Sequence, residues 1–211
     1  MPMIGPDEQL ALAYAPSKLR DSYTALLAFD AALGQAFKAT HEVGLIQIRL
    51  AWWRDQLEMP TAREPVVTAL HTLMRSHGVT AEALAKIING WEVLLDDPPY
   101  SDVQLMRYAR LRGGGLFAVA ARVAGCVVAE QAGEGWALTD FARHCSQRET
   151  AERALILARQ SKAVSLPSVM RPFGLLARFA RSDCQRSVDQ QRVAGSPMRI
   201  IQAIGFMLFQ R

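Results

Sequence analysis

The sequence predicts an all-α fold, a single-domain helical bundle, and three observations support this prediction. Apolar residues recur at helical spacing along almost the whole chain of 211 residues, as expected for helices buried on one face. Prolines, glycines and capping residues divide the pattern into roughly eight or nine segments of helical length. No run of alternating Val, Ile and Thr indicates a sheet, and the 50% hydrophobic content is that of a globular protein.

Two amphipathic segments open the bundle. The apolar stripe of the first comprises Leu19, Tyr23, Leu26, Leu33 and Phe37, and that of the second comprises Ile46, Leu50, Trp53 and Leu57. Each stripe has the spacing of one buried helix face. Pro60 cannot continue the hydrogen-bond ladder, so the second helix is predicted to stop there.

Prolines and a capping residue delimit the next two helices. Pro65 suits the first turn of a helix, and Thr80 is the predicted N-cap of the following one. That second helix carries an apolar stripe up to Leu95. It is predicted to end at the Asp-Asp-Pro-Pro turn, residues 96–99, because proline interrupts a helix.

A long helix with three consecutive glycines is predicted next. Ser101 and Gln104 form a capping-box pattern, which opens a segment running to about Val128. Glycines 113–115 lie inside this segment. Each costs about 1 kcal/mol relative to alanine in a helix interior, so we expect a kink or a close helix crossing there.

Two further boundaries are predicted near the C-terminus. Ser146 and Glu149 form another capping-box pattern, for a helix ending near Lys162. The last helix is predicted from Met198 to Gln210, and residues 184–196 are expected to be a flexible connection to it. All of these elements are assigned to one domain, residues 1–211.

Charge and cysteine content exclude several classes of protein. The net charge is +4 and the pI about 9.2, but the basic residues form no run, so no nucleic-acid binding is predicted. The three cysteines form no Cys-x-x-Cys pair, which disfavours a zinc site or a disulfide framework and favours a reducing compartment. A signal peptide and a span of about 20 apolar residues are both missing. We therefore expect a cytoplasmic protein, with peripheral membrane contact left open.

Four motifs occur in order between Tyr14 and about Arg148. The chain reads Ser-Tyr-Thr-Ala-Leu-Leu-Ala-Phe-Asp from Ser22 and Ile-Arg-Leu-Ala-Trp-Trp-Arg-Asp-Gln-Leu-Glu from Ile48. Residues 87–100 contain Ile-Ile-Asn-Gly, then Leu-Asp, then Tyr, and residues 105–115 carry Tyr108 ahead of the glycines. Together these motifs resemble those of the squalene/phytoene synthase family.

The resemblance implies a bundle of the class I isoprenoid (terpenoid) synthase type around a central apolar cavity. In active relatives two Asp-rich motifs face each other at the cavity mouth and hold Mg²⁺ against the diphosphate of a prenyl substrate. Mg²⁺ is a hard cation that prefers carboxylate oxygens. The metal stabilises the charge of the leaving diphosphate.

This chain departs from the family pattern at both motifs. Relatives continue after Ala-Phe as Cys-Arg-x-x-Asp-Asp-x-x-Asp, whereas here the corresponding positions hold Asp30, Ala31, Gly34, Gln35 and Lys38. The second motif, Gln-Leu-Thr-Asn-Ile-Leu-Arg-Asp-x-x-x-Asp, aligns with 137–144 and places His144 and Arg148 at its Asp positions. Neither site keeps an Asp-x-x-x-Asp pair, and positive charge there would repel Mg²⁺. The chain is also expected to be shortened at its C-terminus relative to the family.

Single residues offer only weak substitutes for the missing carboxylates. Asp30 alone is a poor Mg²⁺ ligand, so a helix-surface or helix-pairing role is the better interpretation. Trp52 and Trp53 are candidates for lining a prenyl cavity, but aromatic residues at helical spacing usually form core. We therefore expect Trp53 in the core and Trp52 half-exposed.

The leading functional hypothesis is a non-catalytic binding or assembly protein without a cofactor. Residues 44–54, with Gly-Leu, Ile-Arg and Trp-Arg pairs, are similar to the family's mitochondrial complex I assembly factor. The partner of this chain is expected to be a protein or an isoprenoid-type lipid. The candidate cavity residues are Arg20, Tyr23, Asp30, Arg49, Trp53, Arg54, Tyr108 and Arg143.

Two other functions remain open. One is an active Mg²⁺-dependent prenyltransferase that condenses two prenyl diphosphates. The other is a module that binds an isoprenoid or quinone without reacting it, which an open apolar cavity would favour and a filled core would disfavour.

Overall fold

The protein is described here by a computed structural model that covers residues 4–59 and 63–209. These residues form helices and connecting turns and no strand, which confirms the predicted all-α class. The helices are α1 (Pro6–Leu12), α2 (Arg20–Lys38), α3 (Val43–Glu58), α4 (Pro65–His77), α5 (Ala81–Glu92), α6 (Asp102–Tyr108), a π-helical segment (Ala109–Gly114), α7 (Gly115–Val123), α8 (Glu134–His144), α9 (Arg148–Gln160), α10 (Arg171–Asp183) and α11 (Pro197–Phe209).

Helix α2 lies at the centre of the N-terminal half and packs against α3, α4, α5 and α7. The side chains of Tyr23, Leu26, Phe29 and Leu33 on this helix are fully buried. Helix α8 has the equivalent place in the other half, between α9, α10 and the π-helical segment. One hydrophobic core runs through both halves, so α2 and α8, the helices aligned with the two motifs, are held by continuous packing.

Several predicted boundaries are confirmed. Thr80 caps α5 by accepting a hydrogen bond from the Ala83 backbone N–H, and Ser101 and Gln104 form the predicted capping box at α6. Helix α3 ends at Glu58, and Pro60, the predicted stop, lies outside the described residues. The end predicted for the last helix, Gln210, also lies outside them.

Other boundaries differ from the prediction. The helix predicted to reach Val128 ends at Val123 because Gly125 adopts a left-handed φ of 66°, which glycine tolerates. The predicted capping box at Ser146 is wrong: Gln147 is the N-cap of α9, without a side-chain cap, and this helix ends at Gln160 instead of near Lys162. The extended backbone of Gln147 shifts the start of the helix by one residue, so Glu149 does not reach the N3 position.

The stretch 184–196, expected to be flexible, is bonded to α9. It contains a short 3₁₀ turn, Val188–Gln190. Arg148 donates to Asp189 at 2.6 Å, and Arg159 donates to the Cys184 carbonyl. Two arginines of α9 therefore attach this connection to the bundle.

Two glycines, Gly90 and Gly113, allow close backbone contacts. A Cβ on Gly90 of α5 would lie 2.5 Å from the Arg112 backbone nitrogen, and one on Gly113 would lie 2.3 Å from the Gly133 carbonyl oxygen. Real Cβ atoms do not approach backbone this closely, so both positions require glycine. The helix between α6 and α7 widens into its π-helical segment at this point. The expected close crossing is therefore present, and the glycine run lies at the end of a π-helical segment.

Helix α11 is apolar on two faces. Arg199, Ala203 and Phe206 are buried toward the bundle, whereas Ile200 and Ile204 are half exposed on the outer face. In residues 4–59 and 63–209, no helix combines the length and the apolar character that crossing a membrane requires.

Candidate functional site

A cavity of about 440 Å³ lies between α2 and α8. Its α2 wall consists of the first-motif positions, including Asp30, Gly34 and Lys38, and its α8 wall carries Asp140 and His144 from the second motif. The two motif helices therefore face each other across one open space. Of the positions that the two alignments treat as opposed, Arg148 does not line this cavity and pairs instead with Glu152 and Asp189.

Arg112 lines the cavity and reaches from one wall to the other. Its guanidinium donates to both carboxylate oxygens of Asp30, from Nε at 2.9 Å and from Nη2 at 2.7 Å. Its Nη1 lies 2.7 Å from the Asp140 carboxylate on α8 and also bonds the Tyr108 hydroxyl. With only 3% of Arg112 exposed, these are buried, charge-assisted bonds. A cation supplied by the protein thus bridges the two motif helices.

Aromatic rings surround the guanidinium. Trp91 and Trp136 lie with their ring centroids 4.3 and 4.8 Å from the Arg112 carbon Cζ, within the range of cation–π attraction. The Trp91 indole N–H also donates to Asp30 at 3.0 Å. Arg112 is placed here by the π-helical segment and by Gly90, which lets α5 approach its backbone.

The charges of this cluster stabilise each other. Burial alone would lower the pKa of Arg112, but Asp30, Tyr108 and Asp140 outweigh it and raise this pKa well above its ordinary value. Burial alone would raise the pKa of Asp140, and the positive charge of Arg112 overcomes this and lowers it. Arg112 and Asp140 are therefore charged at neutral pH.

Glu8 of α1 is the third carboxylate at this cavity. Burial, together with the nearby charge of Asp140, raises its pKa from 4.5 to about 7. Glu8 consequently titrates near neutral pH, in contrast to Asp140.

The residues present do not fit a Mg²⁺–diphosphate centre of the family's kind. Of the three carboxylates that line the cavity, Asp30 and Asp140 are bonded to Arg112 and Glu8 has a raised pKa. Gly34, Gln35 and Lys38 stand at the first-motif Asp positions, and none of them offers a carboxylate. Within the described parts of the chain, no cluster of three or more His, Cys, Asp or Glu residues could hold a metal ion.

Two of the eight candidate residues from the sequence, Asp30 and Tyr108, line this cavity. Asp30 joins two helices through Arg112, in agreement with the helix-pairing interpretation. Trp53 is buried and packs edge-to-face on Phe29, and Trp52 is 38% exposed. The expectation of a core role for Trp53 is met, and its side chain does not line the cavity.

The other candidates lie elsewhere. Tyr23 donates to the Val169 carbonyl at 3.0 Å, and Arg54 pairs with Glu92 at 2.9 Å. Arg20 donates to the Ala15 carbonyl at 3.4 Å, and Arg49 is exposed on α3. None of these four residues lines the cavity.

Arg143 belongs to a second buried ion cluster behind α8. It donates to Asp183 at 2.8 Å, and the fully buried Asp183 also binds Arg199. Arg199 in turn lies 3.0 Å from Asp7. The cluster joins α1, α8, α10 and α11, so Arg143 holds helices together and does not line the central cavity.

Sequence reasoning missed Arg112, Asp140 and Glu8. Arg112 directly precedes the glycine run, and a charged residue beside three helix-interior glycines was a usable signal of a special position. Asp140 stands where the second motif has Asn, one helical turn before its first Asp position. No sequence pattern indicated that Glu8 lines the cavity, because the approach of α1 to the cavity depends on tertiary packing.

Comparison with known proteins gives one match. Neither a curated protein nor a solved structure matches the chain. The family model described as squalene/phytoene synthase matches residues 5–163, which include α1, α2, α8 and the cavity between the two motif helices. The chain therefore belongs to the squalene/phytoene synthase family.

Proposed function

We propose that this chain is a non-catalytic binding or assembly member of its family, which holds an isoprenoid-type ligand in the central cavity without ionising it. One observation carries the proposal: Arg112 takes up the Asp30 and Asp140 carboxylates between the two motif helices. The charge of a carboxylate that bonds a buried guanidinium is already compensated, and the guanidinium beside it repels Mg²⁺. Without the metal, the diphosphate leaving group lacks its main source of charge stabilisation.

The open cavity supports ligand binding. Its volume of about 440 Å³ is within the roughly 300–1,000 Å³ of small-molecule pockets. Trp91, Trp136 and Phe141 supply aromatic surface to its walls. Arg112, fixed by Asp30 and Asp140, would support these walls in place of the metal cluster of active relatives.

The assembly role rests on separate grounds. Residues 44–54 are similar to the complex I assembly factor of the family, and Leu45, Ile48 and Trp52 form an exposed apolar stripe on α3. Such a stripe suits contact with a protein partner. The outer face of α11, with Ile200 and Ile204 half exposed, supports peripheral membrane contact of a cytoplasmic protein.

Ligand titrations test the proposal. Farnesol and farnesyl diphosphate are titrated with either Mg²⁺ or EDTA present, and binding is followed by tryptophan fluorescence, since two indoles line the cavity. We expect the dissociation constants to agree within about twofold between the two conditions. Mg²⁺ that tightens farnesyl diphosphate binding by about tenfold or more would contradict the proposal, because it would reveal a working metal–diphosphate site.

A variant that fills the cavity locates the ligand. Ala31 lines the cavity, whereas Ala39 at the end of α2 is exposed. We expect Ala31→Trp to weaken binding about tenfold or more and the control Ala39→Trp to leave it within about twofold. Equal effects of the two variants, or no binding of either ligand, would contradict the central cavity as the isoprenoid site.

A further inference from the structure

A second cavity, of about 420 Å³, lies among α8, α9, α10 and α11. The segment 161–166 closes one side of it. Trp136 lines this cavity and the central cavity as well, so its indole stands between the two. The molecule therefore offers two separate spaces of similar size.

The second cavity extends beyond the part of the chain that the family model matches. That match ends at residue 163, whereas Leu166, Gly174, Arg178 and Phe206 all line this cavity. Its α10 and α11 walls are thus contributed by residues outside the matched region. Membership of the family consequently assigns no ligand to it.

The interior of the second cavity is apolar and kept open by small residues. Phe117, Leu166 and Phe206 are buried side chains on its walls. Ala158 and Ala177 face it with single methyl groups. An apolar space of this size suits a hydrocarbon chain, since burial of apolar surface drives such binding.

The rim of the second cavity is cationic. Lys162, Arg178 and Arg181 line it and are exposed, and Arg181 donates to the Ser161 carbonyl at 2.9 Å. None of the described residues that line this cavity is Asp or Glu. Clustered cations with no carboxylate among the described lining residues favour a positive potential at the mouth, which attracts an anion.

We propose that the second cavity binds a single-chain amphiphile with an anionic headgroup. The apolar chain would lie among Phe117, Trp136 and Phe206, and the headgroup would be bound by Arg178 and Arg181. Guanidinium groups bind carboxylates and phosphates through paired hydrogen bonds. A fatty acid and a prenyl monophosphate share this chemistry and are distinguished by experiment.

Three probes test the headgroup. Laurate, farnesyl phosphate and the uncharged dodecanol are titrated by calorimetry into the intact protein. We expect both anions to bind at least about tenfold more tightly than dodecanol. The anion that binds more tightly shows whether the site prefers a fatty acid or a prenyl monophosphate. Dodecanol binding as tightly as laurate, or no binding of either anion, would overturn the proposal.

Charge reversal at the rim tests the contacts. Arg178→Glu combined with Arg181→Glu changes exposed side chains, so the fold is expected to persist. We expect this double variant to weaken anion binding about tenfold or more, because charged hydrogen bonds are replaced by repulsion. The control Arg75→Glu, on the exposed face of α4, should stay within about twofold of the unmodified protein. A double variant that binds as the control does would refute the assigned headgroup site.

Cavity-filling variants separate this site from the central one. Ala177→Phe occupies the second cavity, and Ala31→Trp occupies the central cavity. We expect only Ala177→Phe to weaken laurate binding. The reverse pattern would overturn this inference and leave the proposed function of the central cavity intact. Thermal unfolding of each variant shows whether it is folded, and the rim variants keep the test decisive if Ala177→Phe is not.

Discussion

Removal of the Asp30 carboxylate is the sharpest perturbation of the central cluster. Asp30 accepts hydrogen bonds from Arg112 at 2.9 and 2.7 Å and from the Trp91 indole at 3.0 Å. In Asp30→Ala, the Arg112 guanidinium stays buried and keeps only Asp140 and Tyr108. Breaking one side of a buried ion pair costs about 3–5 kcal/mol, so we expect the free energy of unfolding to fall by about that amount.

The assay is unfolding in guanidinium chloride, followed by circular dichroism at the helical wavelengths. Asp55→Ala on the exposed face of α3 is the matched control, expected within about 0.5 kcal/mol of the unmodified protein. If Asp30→Ala is too unstable to fold, Asp30→Asn keeps an acceptor and loses the charge, and we expect a smaller loss of stability. A loss below about 1 kcal/mol for Asp30→Ala would refute the reasoning, since Arg112 would then have to be satisfied without Asp30.

A double variant with apolar side chains at both Asp30 and Arg112 distinguishes the effect of breaking the ion pair from the effect of changing side-chain volume. Asp30→Leu alone leaves Arg112 without its main partner, whereas Asp30→Leu with Arg112→Met removes both charges of this pair. All variants of this cycle also carry Asp140→Asn, because Asp140 pairs with Arg112 too and would otherwise be left as an unpaired carboxylate. Replacing a whole buried ion pair by apolar residues is often close to neutral. We expect the double variant to be more stable than Asp30→Leu alone, with a coupling of about 1–3 kcal/mol in a double-mutant cycle. Additive effects would contradict direct pairing.

Three further predictions concern pH, packing and the second ion cluster. The pKa of Glu8 is raised from 4.5 to about 7, so its contribution to the free energy of unfolding falls as the pH rises from 4.5 to about 7. We therefore expect Glu8→Gln to be more stable than the unmodified protein by about 1–2 kcal/mol at about pH 8, a figure that is reduced for the partial exposure of Glu8. Near pH 4 we expect no difference between the two proteins. Chemical denaturation measures both, and equal stability at both pH values would contradict the raised pKa. Gly113→Ala should lower the melting temperature and reduce the free energy of unfolding by about 1–3 kcal/mol, because the new Cβ would lie 2.3 Å from the Gly133 carbonyl oxygen. An unchanged melting temperature would contradict the close crossing. Asp183→Ala leaves the buried Arg199 with one carboxylate fewer, so unfolding titrations should show a loss of about 3–5 kcal/mol, and a loss below about 1 kcal/mol would contradict the cluster.

The helices could be predicted from the sequence because their signals are local. The stripe containing Leu26 and Leu33, the cap at Thr80 and the capping box at Ser101 each depend on residues within a few positions along the chain. The boundary at Val123 was missed although Gly125 is a local stop signal, because three other glycines of the same predicted segment lie inside helical backbone. The cap at Ser146 failed because a one-residue shift moves Glu149 out of the position that a capping box requires.

The site was less predictable because it depends on contacts between distant residues. Asp30 and Arg112 are separated by 82 positions, and they come together because α2 and the π-helical segment both pack against α5. The missing carboxylates could be identified from the motif positions alone. Their replacement by a guanidinium could not, because Arg112 lies outside both motifs and its inward direction depends on Gly90 and the π-helical segment.

The central claim is that Arg112 replaces the metal cluster of active relatives and that the chain therefore does not ionise prenyl diphosphates. Its most direct test is incubation of the pure protein with farnesyl or geranylgeranyl diphosphate and Mg²⁺, with a competent family enzyme as positive control. Released diphosphate and prenyl products are measured in parallel. The claim predicts release at the rate of the protein-free reaction, unchanged by EDTA. Release that requires Mg²⁺ and stops with EDTA would contradict it and establish this chain as a prenyltransferase.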